Sequence, residues 1–142
     1  MSRVKVDLPD KFIFITEIPV RITDINYGGH LGNDSVLSIV HEARLQFLSN
    51  MSFSEKDVDG KGIIMVDAAV QYISEGFYGD ILKIEVGVGE FSNSGCDIVY
   101  RLSNKETGKP VAMVKTGVVF FDYSKRKVVP VPDKFIKSVK SK

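Results

Sequence analysis

In the stretch RITDINYGGHLGNDSVLSIVHEARLQFL, residues 21–48, four polar side chains crowd into ten positions: Asp24, Asn26, His30 and Asn33. An apolar run follows at once. A histidine, whose ordinary pKa is about 6.5, can take a proton at neutral pH or orient a neighbour as a neutral donor. An asparagine offers two N–H hydrogens to a carbonyl oxygen or a water, and an aspartate accepts from loop N–H groups. Each residue also has a plainer use. His30 can be a loop histidine bonded to backbone, Asn26 can shape the loop as an Asx-turn, and Asp24 suits a structural acceptor better than a reactant. Gly28, Gly29 and Gly32 let the backbone come close to whatever binds there.

The elements that must position these groups can be read from periodicity. From Asp34 to Asn50, Val36, Val40, Ala43 and Phe47 recur at steps of four, three and four, which predicts an α-helix with Ser38, Glu42, Leu45 and Ser49 on its opposite face. Asn33, Asp34 and Ser35 all suit the N-cap. Free N–H groups at a helix start are ready donors for an anion. Glu42 becomes a competent base if a second subunit buries it at a dimer seam, because desolvation raises a carboxyl pKa. Otherwise it is a solvated carboxylate, or an ion pair within Glu42-Ala43-Arg44. His41 reads as a helix-surface residue.

Ahead of this region, FIFITEIPVRIT (residues 12–23) is rich in β-branched and aromatic residues but contains Pro19, so it reads as an edge strand or a bulged one. Behind it, after the polar linker SFSEKDVDGKG, four segments read as strands: residues 63–74, 80–92, 96–104 and 110–123. The short connections, with turn signals at Gly76, Gly79 and Asn93 to Gly95, predict an antiparallel meander. The final PDKFIKSVKSK is a short basic helix or a frayed tail. The class is α+β, with one long helix packed on a five-stranded antiparallel sheet. Residues 63–73 and 111–121 are apolar on both alternating faces, more than a sheet with one solvated face needs. A homodimer is expected to cover the surplus, with pairing of dimers into a tetramer left open.

Composition limits the functions available. The 142 residues form a single domain, 1–142, and a formal charge of +1 gives no broad basic surface for nucleic acid. No apolar run approaches the ~20 residues of a membrane span. The start MSRVKVDLPDKFIF lacks the apolar core of a signal peptide, so the expected location is cytoplasmic. Cys96, the only cysteine, reads as a small core residue. Two histidines and one cysteine without ligand spacing give no support for a metal site.

The pattern Asp24, Gly29, His30, Asn33, Glu42, Ala43, Arg44 resembles the hotdog-fold acyl-CoA thioesterases related to 4-hydroxybenzoyl-CoA thioesterase. In many of these a first strand runs into Asp-x-Asp-x-x-Gly-His-x-Asn-Asn and then a helix bearing Glu-Ala-Arg. The later YISEGFYGDILKIEVGV is similar to the family's strand, Gly-Asp turn and strand. The resemblance implies a helix wrapped by a sheet and hydrolysis of an acyl-CoA or acyl-carrier-protein thioester. It implies no cofactor, since CoA belongs to the substrate, and it places catalysis at Asn26, His30, Glu42 and Asp24, with substrate binding at Gly32 and Asn33. Two positions depart from it: Asn26 replaces the second Asp, the family's attacking or water-activating carboxylate, and Gly32 replaces the first Asn of the pair. An amide neither attacks nor activates. Plant acyl-carrier-protein thioesterases have a motif resembling Asp-x-Asn-x-His, in which a neutral Asn works beside a His, although His30 lies two residues further along. Alternatives are a hotdog enoyl-CoA hydratase, whose motif resembles Asp-x-Asn-Pro-x-His but with Tyr27 here at the Pro position, and a non-catalytic acyl-thioester-binding module.

Overall fold

The computed structural model describes residues 1–142. Strand β1 (Phe14–Pro19) leads through a 3-10 turn (Ile22–Asp24) to the long helix α1 (Asn33–Asn50). Strands β2 (Gly62–Tyr72), β3 (Ile81–Phe91), β4 (Gly95–Asn104), β5 (Pro110–Asp122) and β6 (Lys127–Val129) follow, then a terminal helix α2 (Asp133–Lys140). Helix α1 buries Val36, Ile39, Val40, Ala43, Phe47 and Leu48 against the sheet, the face that its periodicity predicts. Ser38, Glu42 and Ser49 are exposed on the other side. Each large apolar side chain so buried contributes about 1.5–3 kcal/mol, which is what holds a helix of modest intrinsic propensity on the sheet.

The antiparallel sheet has the order β1-β3-β4-β5-β2, with β6 paired to β5. The expected meander holds for β3, β4 and β5, but β2 pairs with β5 at the far edge instead of with β3. The connection 73–80 therefore crosses the end of the sheet. Its eight residues can reach about 26 Å when extended, ample for the roughly 14 Å of three strand spacings. Gly76 and Gly79 thus belong to a crossing, not to a hairpin. β1 pairs only with β3, so Pro19 lies on an edge strand, as its missing N–H requires.

One further element corrects the sequence reading, and another decides between its alternatives. The sheet has six strands, not five, because the chain turns back after Asp122, whose Oδ1 accepts the N–H groups of Ser124 and Lys125 at 2.9 and 3.0 Å. A three-residue strand is too short to carry a periodic signal. The terminal segment is a helix anchored by the fully buried Phe135, whose ring lies 5.2 Å from Phe120 and 6.0 Å from Phe53.

Beneath the middle of α1 lies a buried polar group that sequence reading did not assemble. Arg44, 5% exposed, donates through Nε to Glu55 Oε2 at 2.8 Å and through Nη1 to Tyr100 Oη at 3.3 Å. The Tyr100 hydroxyl also bonds Thr116 Oγ1 at 3.0 Å, and His41 Nε2 meets Glu55 Oε1 at 2.8 Å. Arg44 therefore pairs with the loop after the helix, not with Glu42.

Candidate active site

The loop before α1 is built from its own polar groups. Asn26 Oδ1 accepts the N–H of Gly28 at 2.9 Å and of His30 at 3.3 Å, while its carbonyl accepts Gly29 N–H at 3.0 Å. Gly29 takes φ +83°, a left-handed conformation that favours glycine. This is an Asx-turn, and it commits the Asn26 oxygen to the loop. The Asn26 side-chain NH₂ has no partner in the chain. Asp24, 4% exposed, accepts the Arg21 N–H at 2.8 Å through Oδ2, and its carbonyl accepts Gly32 N–H at 2.9 Å. Asp24 thus ties the 3-10 turn to the helix start and does not face the cavity described below.

Helix α1 starts without a side-chain cap. Gly32 is the N-cap, a correction to the candidates Asn33, Asp34 and Ser35, and the N–H groups of Asn33 and Asp34 have no partner in the chain. A Cβ at residue 32 would lie 2.8 Å from Asp34 Oδ1, so a larger residue there would require the Asp34 side chain to turn away. This helix end keeps open donors, where capping normally satisfies them.

The crossing segment 73–80 forms the other wall. Leu31 N–H donates to the Gly76 carbonyl at 2.8 Å, and Tyr72 Oη donates to the Asn33 carbonyl at 3.1 Å, so the crossing is fastened to the loop and the end of β2 just before it to the helix. Phe77 packs on the His30 ring at 5.2 Å between centroids, tilted by 53°. Glu75 Oε2 lies 3.3 Å from His30 Nδ1. Nδ1 is shielded from solvent and lacks an aligned hydrogen bond, so the contact is a charge–imidazole approach and not a completed bond.

Between these walls lies a cavity of about 340 Å³. Asn26, His30, Asn33 and Glu75 supply its polar side, and Leu31, Val36, Ile73 and Val111 its apolar side. A larger depression of about 1330 Å³ lies between the N-terminal segment and the outer sheet face. Opposed charges line it, among them Lys5, Asp7, Asp10 and Lys11, and Lys115 there is paired with Asp67 at 2.8 Å. It lacks both a histidine and a helix start, which the smaller cavity combines.

The structure brings Asn26, His30 and Asn33 together, with Gly32 shaping the helix entry beside them. Glu42 lies elsewhere on this chain, in a groove with Glu17, Pro19 and Ser38, and accepts from Gln46 Nε2 at 2.8 Å. Cys96 is 6% exposed, and burial, aided by Asp97, pushes its thiol up to about 12, so it is an inert core residue. Sequence reading missed Glu75, Phe77 and Tyr72. Their only signal was a carboxylate and aromatics around the Gly76 turn, which looked like an exposed hairpin.

The thioesterase-like superfamily model matches residues 20–139. No curated protein sequence matches the chain. Among solved structures, a 1,4-dihydroxy-2-naphthoyl-CoA thioesterase from Synechocystis is 22% identical, with a TM-score of 0.81 over 89% of this chain and 95% of that one. A DHNA-CoA thioesterase from Staphylococcus aureus is 20% identical, with a TM-score of 0.78 over 89% and 88%. A hypothetical protein from Staphylococcus aureus in complex with CoA is 13% identical, with a TM-score of 0.82 over 96% and 87%. At these identities the structures share the fold, and the match of the family model along most of the sequence gives the affiliation: the chain is a hotdog-fold member of the thioesterase-like superfamily.

Proposed function

We propose that this protein hydrolyses acyl thioesters, with acyl-CoA as the substrate class and the His30 cavity as the active site. The observation that carries this reading is an uncapped helix start, with the free amide of Asn26 and the ring of His30, opening on one partly apolar cavity. The acyl chain lies along Leu31, Val36 and Val111. The thioester oxygen faces the Asn26 NH₂ and the N–H groups at the start of α1, donors that strengthen their bonds as negative charge develops on it. His30 takes a proton from water as the water oxygen bonds to the acyl carbon. Collapse of the tetrahedral intermediate breaks the C–S bond, and the proton held by His30 passes to the thiolate. The products are a carboxylic acid and a free thiol. His30 is preferred to Glu42 as the base because Glu42 is exposed, bonded to Gln46 and in another groove of the chain.

CoA is preferred to a carrier protein because a structural neighbour was solved in complex with CoA. Release of free thiol from a panel of acyl-CoAs, with one acyl-carrier-protein thioester alongside, tests both points. Turnover of the acyl-CoAs supports the reading. Loss of enoyl absorbance without thiol would make the protein a hydratase, and tight binding without either would make it a binding module.

A homodimer completes the proposal. β2 is an edge strand, and Met65, Val66, Tyr72 and Ile73 along and just beyond it are 48, 59, 51 and 43% exposed. An antiparallel edge is self-complementary about a twofold axis, and a second copy both pairs it and covers those side chains. Light scattering at micromolar concentration should give twice the monomer mass. A monomer would refute the pairing. No helix is long and apolar enough to cross a membrane.

A further inference from the structure

We infer that Glu75 is a positioning residue for His30: its carboxylate holds the Nδ1–H of the imidazole, so that Nε2 is the nitrogen that takes the proton from water. This rests on the proposed thioesterase reading for its function, and on geometry for its existence. Glu75 Oε2 lies 3.3 Å from Nδ1, and Nδ1 is shielded from solvent with no other partner. The His30 side chain is 38% exposed, so its exposure falls on the remaining ring atoms, which include Nε2. A shielded ring nitrogen facing a carboxylate is satisfied only as N–H, and this leaves the lone pair on the other nitrogen.

The placement is built into the fold. Glu75 sits one residue before Gly76, whose carbonyl accepts Leu31 N–H at 2.8 Å, one residue after His30. That single bond sets the two side chains opposite each other across the cavity wall. Phe77, one residue after Gly76, closes on the ring from the same segment at 5.2 Å. The Glu75 side chain is 66% exposed and makes no hydrogen bond in the chain, so a small rotation can bring the carboxylate into line as substrate excludes water. In the reaction Glu75 keeps its charge throughout: water loses a proton to Nε2, the imidazolium is stabilised by the carboxylate on its other side, and the proton leaves from Nε2 to the thiolate.

The test uses the full-length protein with ¹⁵N-labelled histidine. In the neutral ring of the wild type, His30 should carry its proton on Nδ1. In Glu75→Ala it should revert to the Nε2–H form that free imidazole side chains prefer, while His41, which meets Glu55, serves as the internal control. Glu75→Gln retains an acceptor oxygen and should keep the Nδ1–H form without the charge. With an acyl-CoA substrate, kcat should fall about tenfold to a hundredfold in Glu75→Ala and by a smaller factor in Glu75→Gln, with KM within threefold, because Glu75 acts through His30 and not on substrate. An unchanged His30 tautomer in Glu75→Ala overturns the inference even if the enzyme is inactive on every thioester. A changed tautomer with no loss of kcat also overturns it. Absence of thiol release by the wild type strikes instead at the thioesterase reading, and the ring spectrum still decides whether Glu75 holds His30.

Discussion

Helix α1 carries two polar clusters of opposite character, one before its first turn and one under its middle. At the start, Asn26, His30 and Glu75 surround a cavity, and an amide NH₂, the first helix N–H groups and a ring nitrogen remain without bonds inside the chain. Under the middle, Arg44, Tyr100 and Thr116 are almost wholly buried and linked by hydrogen bonds through to Glu55. Burial of an unbonded polar group is costly, so the inner cluster has to be complete. The outer one borders water, which satisfies its exposed groups, while the shielded His30 Nδ1 faces the Glu75 carboxylate instead. The same residue types therefore hold the fold in one place and stay available for chemistry in the other.

The largest effect should come from breaking the inner cluster. Arg44→Met leaves the Tyr100 hydroxyl short of a partner and Glu55 without its guanidinium, and should lower stability by about 3 kcal/mol, at the low end for a buried pair because Glu55 is partly solvated. Activity per folded molecule should change less than twofold, and urea unfolding with a thiol-release assay checks both. The loss should depend on pH. Burial pushes the Glu55 carboxyl up, but its bonds from Arg44 and His41 outweigh this and hold it below the ordinary range. A carboxyl depressed on folding gives stability that is present above its unfolded pKa, about 4.3, and lost as pH falls through the folded value. Acid unfolding of Arg44→Met should therefore lack that share of the slope.

The outer cluster should respond in the reverse way. His30→Ala should lower kcat/KM by about 10²-fold with the melting temperature little changed, since only a half-buried ring is removed. If stability falls and activity per folded molecule does not, His30 belongs with the inner cluster.

Asn26→Asp should be smaller, about tenfold in kcat at neutral pH. Its Oδ atoms can still accept from Gly28 and His30, so the turn survives, while the two donor hydrogens are replaced by charge that opposes the developing oxyanion. A faster mutant would mean that the amide is a defect and that the protein's main task is binding. Smallest of all is Glu42→Gln, for which thiol release should change less than threefold. A larger loss would bring Glu42 back as the base, acting from across a dimer seam.

Local order was legible from sequence because it follows from short-range rules. The α1 face of Val36, Val40, Ala43 and Phe47, the four long strands, the choice of an edge or bulged strand at Pro19 and the option of a turn at Asn26 depend on residues within a few positions of one another. The resemblance in residues 24–44 extended that to the fold and pointed to the loop of Asn26 and His30, which the structure brings to one cavity. Which strand lies beside which did not follow, because a crossing and a hairpin use the same glycine signals, and only the long-range pairing of β2 with β5 selects between them. Arg44 found Glu55 and Tyr100 instead of Glu42 for the same reason: charge partners are chosen by packing across the sheet, not by neighbours on the helix. Glu75 is the clearest case. Its sequence neighbourhood contains no histidine, and it meets His30 only because the chain crosses the end of the sheet beside the helix start.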